Sequence, residues 1–266
     1  MSDWLVSARE TLTTLYICTD MSYRRTPTGI PSFDFLPRLS NLAEFACMID
    51  DASQLREAAA CPALTELDLS YARHLTMADL ACLDLHAPSL GRLTTIIIKG
   101  AKHLGAPCLA HLRHLKGLRT LYCDADEYGS IGTWLFSEDL AHVSHLPLTD
   151  LELGFDMEPT AVLRRLPLTL TRLGLRCGAT PQAQIFSDQG LFSFLQRQSA
   201  AEPGGGARLT RLDLIADSIT KDVLEKLLSL APGLQRISTN SANLSAEYQA
   251  AFRQAHPQVV LLLRDE

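Results

Sequence analysis

Residues 64–69 read LTELDL and carry the pattern that decides the fold of this 266-residue chain. Leu67 and Leu69 are separated by a single polar residue, and this alternation places both leucines on one side of a short strand, facing a core. The same pattern, L-x-x-L-x-L with Ile, Phe, Cys or Thr at some positions, recurs every 28 residues or so. The nine starts predict nine short strands of one repeating unit, at residues 12, 42, 64, 93, 118, 148, 170, 209 and 234.

The remainder of each repeat is long enough for a helix that returns behind the strands. Thr76, Ser137, Thr220 and Ser245 each precede an apolar periodic segment, and hydroxyl side chains at such positions are favoured helix N-caps. The segment after Ser137 predicts a helix over residues 139–145. Proline residues follow several of these segments, where a helix has to stop.

A repeat length of about 20–29 residues is typical of leucine-rich repeats, whose units bury their leucines only when they stack. The sequence therefore predicts an α/β leucine-rich repeat solenoid (a horseshoe) of about nine repeats, with a parallel sheet on its concave side and helices on its convex side. We expect a capping helix over residues 1–11, the repeats over residues 12–258, and a closing strand and tail over residues 259–266.

The composition agrees with a repeat protein and argues against several function classes. Leucine supplies 48 of the 266 residues, and the formal net charge is −6, so binding of nucleic acid by bulk charge is disfavoured. No apolar run approaches the ~18 residues of a membrane-spanning helix. The first residues, MSDW, lack the basic-then-apolar order of a secretory signal. We expect a cytoplasmic or nuclear protein whose seven cysteines are reduced.

Residues 64–90 (LTELDLSYARHLTMADLACLDLHAPSL) resemble the cysteine-containing leucine-rich repeat of F-box and related proteins. Residues 209–234 are similar, and residues 61–64 (CPAL) match the CPxL ending of that subfamily. The resemblance extends over essentially the whole chain and implies the same repeat fold. Only 11 residues precede the first repeat, so the resemblance is to a repeat array without an F-box.

The strand side chains that alternate with the leucines should line the concave face, and adjacent parallel strands lie about 4.8 Å apart. Charged side chains at equivalent positions should therefore stack into an acidic row at one end and a basic row at the other. Insertions over residues 19–37, 124–136 and 177–186 should add a rim to this face. The candidate partner-binding residues are Tyr16, Glu44, Glu66, Asp68, Tyr122, Asp124, Trp134, Asp150, Glu152, Arg172, Arg176, Arg211 and Arg236.

Few residues suggest a metal site or a catalytic site. Cys108, His111 and His114 are spaced by three, but on an α-helix Cys108 and His114 point in different directions, so we expect no metal site there. The acidic residues 124–127 match no calcium-binding loop. No hydrolase, metalloprotease or dinucleotide-binding motif is present. We therefore expect no metal, no cofactor and no catalytic residues.

The favoured hypothesis is a non-enzymatic module that binds a protein or peptide partner on its concave face and inserted rim. Two alternatives stay open. In the first alternative, the protein would be a structural subunit of a larger multiprotein assembly, held by its convex helices. In the second, it would recognise substrates within a ubiquitin-ligase-type complex without an F-box of its own.

Overall fold

The computed structural model describes residues 10–17, 34–47, 49, 52–70, 72, 75–99, 106–124, 140–155, 163–177, 188–202, 206–215, 219–240 and 244–264. The chain divides into two compact units, Met1–Thr133 (unit 1) and Trp134–Glu266 (unit 2). Most of the predicted capping helix lies outside the described residues, and residues 10 and 11 form a turn.

Unit 1 contains five short parallel strands, in the order in which they occur along the chain. Leu67 lies opposite Phe45 on one neighbouring strand and Ile96 on the other, so the inward residues stack in register. The strands are β1 (Thr14–Ile17), β2 (Glu44–Cys47), β3 (Glu66–Asp68), β4 (Thr95–Lys99) and β5 (Thr120–Asp124). The helices are α1 (Ala52–Ala59) and α2 (Met77–His86), with 3-10 segments at Leu36–Arg38 and Ala106–Leu112.

Unit 2 repeats the same design with five more parallel strands. Leu212 lies opposite Leu173 and Ile237, again in register. The strands are β6 (Asp150–Phe155), β7 (Arg172–Cys177), β8 (Arg211–Ile215), β9 (Arg236–Asn240) and β10 (Val260–Arg264). The helices are α3 (Asp188–Ala201), α4 (Lys221–Leu230) and α5 (Ala246–Ala255).

The predicted α/β leucine-rich repeat fold is confirmed. All nine predicted strands form at the L-x-x-L-x-L positions, and the closing strand follows as β10. The repeated leucines are the core: Leu67, Leu121, Leu151 and Leu212 are all fully buried. A single branched side chain fills equivalent positions in successive repeats, which explains the high leucine content.

Three of the four predicted helix starts are confirmed. The main-chain N–H of Thr76 donates to the Asp79 carboxylate at 2.7 Å, while Thr220 and Ser245 accept from main-chain N–H groups three residues further on. The prediction of a helix over residues 139–145 is wrong for its described part, because residues 140–145 form turns almost throughout. There the chain has only a few residues in which to bury Leu140 and Val143 before the next strand pattern begins at residue 148.

A ladder of threonine hydroxyls joins neighbouring repeats. Thr65 Oγ1 donates to the main-chain carbonyl of Ala43 at 3.0 Å, and Thr94 Oγ1 donates to that of Thr65 at 3.2 Å. Thr171 and Thr210 make the equivalent bond in unit 2, each at 3.1 Å. These threonines occupy the second position of the repeat, where the hydroxyl adds a hydrogen bond to a carbonyl that already accepts from two main-chain N–H groups of the same repeat as the threonine.

Burial makes two thiols poor nucleophiles. Cys61 and Cys82 are both buried free thiols, and burial raises the pKa of Cys61 to about 12 and that of Cys82 to about 11. Because the thiolate is the reactive form, iodoacetamide at pH 8 should leave both cysteines unmodified in the native protein and label them after denaturation in urea. Peptide mass spectrometry would measure this, with the partly exposed Cys123 as the internal comparison. Native labelling of Cys61 as fast as that of Cys123 would contradict the predicted burial.

Candidate functional site: the open faces of the strands

The side chains that alternate with the buried leucines form what we call the open face of each unit. Each face is a grid, because strands in register place equivalent residues side by side. Among residues with described side chains, the open face of unit 1 contains Thr14, Tyr16, Glu44, Ala46, Glu66, Asp68, Thr95, Ile97, Thr120 and Tyr122, and Lys99 and Asp124 continue it in the strand register. The open face of unit 2 consists of Asp150, Glu152, Arg172, Gly174, Arg211, Asp213, Arg236, Ser238, Val260 and Leu262.

The predicted acidic row is present in unit 1. Glu44 on β2 lies directly opposite Glu66 on β3, and Asp68 follows two residues along β3. Glu44 Oε2 accepts hydrogen bonds from Thr14 Oγ1 at 3.2 Å and from the Tyr16 hydroxyl at 3.1 Å. The Tyr16 side chain is held against Glu44 in this way, yet the residue keeps 58% of its surface exposed.

The negative charges of this row act on Glu66. Partial burial raises the pKa of Glu66, and the negative charges of Glu44 and Asp68 raise it further. The hydrogen bond to Glu44 likewise raises the pKa of Tyr16. Of the lysine and arginine side chains that the structure describes, none forms an ion pair with these carboxylates. The opposing positions on β4 are the uncharged Thr95 and Ile97.

The predicted basic row is also present, in unit 2, but most of it is engaged within the protein. Arg172, Arg211 and Arg236 lie opposite one another on β7, β8 and β9. Arg172 Nη2 lies 3.7 Å from Glu152 Oε2, and its Nε lies 3.5 Å from Asp213 Oδ2. Arg211 Nε donates to the same Asp213 oxygen at 3.2 Å. Two arginines and two carboxylates thus form one ion-pair network.

The carboxylates of this network are deeply buried. The side chains of Glu152 and Asp213 are only 9% and 8% exposed, and that of Arg172 is 24% exposed. Gly174 lies between Glu152 and Asp213 in the register of the strands. A Cβ atom at Gly174 would lie 3.0 Å from Glu152 Cγ. Because Gly174 has no side chain, the Glu152 side chain can pack directly over the Gly174 backbone.

The remaining candidate residues have different surroundings. Asp150 accepts a hydrogen bond from Thr149 Oγ1 at 3.0 Å, and Tyr122 is half-buried. The Arg236 Nε atom is buried and has no hydrogen-bond partner among the described residues. Trp134 and the side chains of Asp124 and Arg176 lie outside the described part of the structure.

Asp213 and Gly174 complete the network, although the sequence predicts them only as residues of the concave face and not as binding residues. The repeat register alone predicts that Gly174 and Asp213 are neighbours of Glu152, because the three residues occupy equivalent positions in successive strands. A glycine between two acids in that row indicates that a neighbouring side chain uses the space.

The cysteine and histidine spacing near residue 110 has a different geometry from the one assumed. Ala106–Leu112 is a 3-10 segment rather than an α-helix, Cys108 is buried, and His111 Nδ1 lies 3.0 Å from Asp84 Oδ2. His114 Nε2 lies 3.9 Å from the other oxygen of Asp84. Within the described residues, no group of three histidine, cysteine or acidic side chains is arranged to hold a metal ion.

Among known proteins, this chain is similar to solved structures of low sequence identity. No protein-family model matches the chain, and no curated protein matches it. Among solved structures, a Bacteroides fragilis protein is similar, with 12% identity and a TM-score of 0.46 over 76% of this chain. This chain spans 66% of the length of that protein. A Leptospira interrogans LRR protein is similar with 14% identity and a TM-score of 0.32, over 86% of this chain and 68% of that one.

The strand pattern, register and buried leucines define the class: a leucine-rich repeat fold. The narrower resemblance to the cysteine-containing subfamily stays a prediction. No helix in the described ranges has both the length and the apolar character needed to cross a membrane.

Proposed function

We propose that the protein is a non-enzymatic interaction module of the cytoplasm or nucleus that binds a protein or peptide partner through its open faces and inserted loops. The observation that carries this proposal is the open face of unit 1, which combines the exposed Tyr16 ring with three carboxylates that lack a described cationic partner. Such a surface offers both contact area and charge. Aromatic residues supply much of the energy at measured interfaces, and charge sets orientation and association rate.

The helix side of unit 2 makes contacts of a different kind. Lys226 lies 4.2 Å from the centre of the Phe192 ring, which joins α4 to α3. The Tyr248 hydroxyl on α5 donates to Glu225 on α4 at 3.3 Å, and Lys221 lies 5.7 Å from the Tyr248 ring. These side chains join neighbouring helices of the same unit, and Lys221, Glu225 and Lys226 are at the same time exposed.

One residue favours the alternative of an assembly subunit held by its helices. Leu85 on α2 is 79% exposed, and it is the most exposed large apolar residue in the described part of the chain. A single exposed leucine is common on protein surfaces. It nevertheless marks the position at which contact through the helices is best tested.

Site-specific photo-crosslinking separates the two proposals. A benzoylphenylalanine would replace Thr95 on the open face in one variant and Leu85 on the helix side in the other, both in unit 1. In extract of the source organism we expect a discrete crosslinked species from position 95 that excess unlabelled protein removes. A competed species from position 85 alone would support the assembly subunit, and no competed species from either position would contradict binding through the open face.

A further inference from the structure

The two open faces treat their carboxylates differently. In unit 2, Arg172 lies between Glu152 and Asp213, and Arg211 shares the Asp213 oxygen, so each acid of the middle row has a cationic neighbour inside the protein. In unit 1 the residues directly opposite Glu44, Glu66 and Asp68 on β1 and β4 are the uncharged Thr14, Thr95 and Ile97, while Lys99, whose side chain lies outside the described part of the structure, comes two residues beyond Ile97 on β4. One fold thus presents a neutralised face in unit 2 and a negative one in unit 1.

We propose, on the basis of the function proposed above, that the open face of unit 1 receives a basic, extended segment of the partner, with Lys or Arg side chains at Glu44, Glu66 and Asp68 and an apolar stem on Tyr16. Charge complementarity identifies this occupant. A cation placed among three mutually repelling carboxylates is attracted by all of them, whereas an acidic or neutral segment gains nothing there.

The electrostatics of Glu66 support this occupant. The pKa of Glu66 is raised by burial and by the charges of Glu44 and Asp68. Ionising Glu66 therefore costs more free energy in the folded protein without a partner than in the unfolded chain. Since the shift is upward, the group binds protons more readily in the folded than in the unfolded state, and stability falls as pH rises through its titration. A bound cation would reverse this penalty, because an opposite charge favours the ionised carboxylate.

Tyr16 contributes a surface that suits the stem of a basic side chain. Its hydroxyl is fixed on Glu44 Oε2 at 3.1 Å, while more than half of the residue is exposed. The long methylene stems of Lys and Arg pack on apolar surface while their charged ends stay in polar surroundings, and an aromatic ring face also attracts a cation. The ring and the carboxylates therefore act on the same kind of side chain.

The spacing of the acids indicates an extended segment. Glu66 and Asp68 are two residues apart on β3, which separates them by about 6.5–7 Å along the strand. Alternate side chains of an extended peptide have the same spacing. A segment that runs along the strand direction with basic residues at positions i and i+2 would therefore meet both carboxylates, and Glu44 lies one strand spacing to the side.

The experiment uses the full-length chain and three synthetic nonapeptides as probes. One peptide alternates lysine with glycine, a second has the same composition with its lysines contiguous, and a third alternates glutamate with glycine. Binding would be followed at low salt by NMR, from amide shifts of the isotope-labelled protein. We expect the alternating lysine peptide to bind most tightly and to shift amides of β1, β2 and β3, with affinity falling as salt is added.

A matched pair of variants tests whether the acidic row is responsible. Glu44→Gln with Glu66→Gln removes two charges from the open face, and the amide oxygen introduced at position 44 still offers an acceptor to the Tyr16 hydroxyl. Asp222→Asn with Glu247→Gln removes two exposed charges from the helix side and changes the net charge equally. We expect the first pair to weaken binding of the alternating lysine peptide at least fivefold, and the second pair to weaken it less than twofold.

Three outcomes would overturn the inference: equal weakening by both pairs, equal affinity for the contiguous-lysine peptide, or equal affinity for the glutamate peptide. Crosslinking at position 95 distinguishes this failure from failure of the proposed function. If the crosslink persists in the Glu44→Gln and Glu66→Gln protein, the open face binds a partner by other means. Circular dichroism melting of each variant verifies that the measured protein is folded.

Discussion

Replacing Leu67 or Leu212 by alanine should lower the free energy of unfolding by about 2–5 kcal/mol, the usual cost of opening a cavity at a buried leucine. Both side chains are fully buried; Leu67 is the central residue of β3 and Leu212 is the second residue of β8. Leu67 packs in register between Phe45 and Ile96, so neighbouring repeats on both sides line the cavity and cannot collapse into it independently. Urea unfolding followed by circular dichroism measures the change.

Leu262→Ala is the matched control, because Leu262 is a strand leucine that keeps 36% of its surface exposed. We expect it to cost less than about 1 kcal/mol, since little apolar area is returned to water. Repeats couple mainly to their nearest neighbours, so the two variants need not produce the same unfolding curve. If Leu67→Ala unfolds at the same urea concentration as the parent, the inward register assigned to that strand is incorrect.

The strands were predictable because their pattern has a period of two and recurs in every repeat. The alternation in LTELDL assigns one face to the core and the other to the surface, and a shift of one residue would bury Glu66 and Asp68. Helix starts at Thr76, Thr220 and Ser245 were predictable for a similar reason, since capping is a local interaction.

The state of the charged rows was not predictable to the same degree. Repeat register shows that Arg172, Arg211 and Arg236 share a row, but it does not show which carboxylate lies between which arginines. That depends on side-chain paths across two strands, and on the space over Gly174 into which Glu152 folds. The 3-10 geometry near Cys108 was also missed, because residues spaced by three suit both kinds of helix.

Arg172→Glu should be among the most destabilising single changes on either open face, although Arg172 belongs to a row that the sequence alone presents as free surface. The substitution removes the cation between Glu152 and Asp213 and puts a third carboxylate there. Removing one partner from a buried ion pair costs about 3–5 kcal/mol as a rule, and partial exposure of Arg172 reduces our expectation to about 2–4 kcal/mol. The corresponding fall in melting temperature is about 5–12 °C.

Arg236→Glu provides the comparison, because it reverses the charge of the same row where no described carboxylate forms an ion pair. We expect it to lower the melting temperature by about half as much as Arg172→Glu or less, because no described buried carboxylate loses an ion-pair partner. If both variants melt like the parent, Glu152 and Asp213 are solvated well enough to do without Arg172, and the ion-pair network contributes little to stability. A large loss for Arg172→Glu alone would mean that the charged side chains of this face mainly stabilise the fold, because Glu152 and Asp213 then depend on the Arg172 cation.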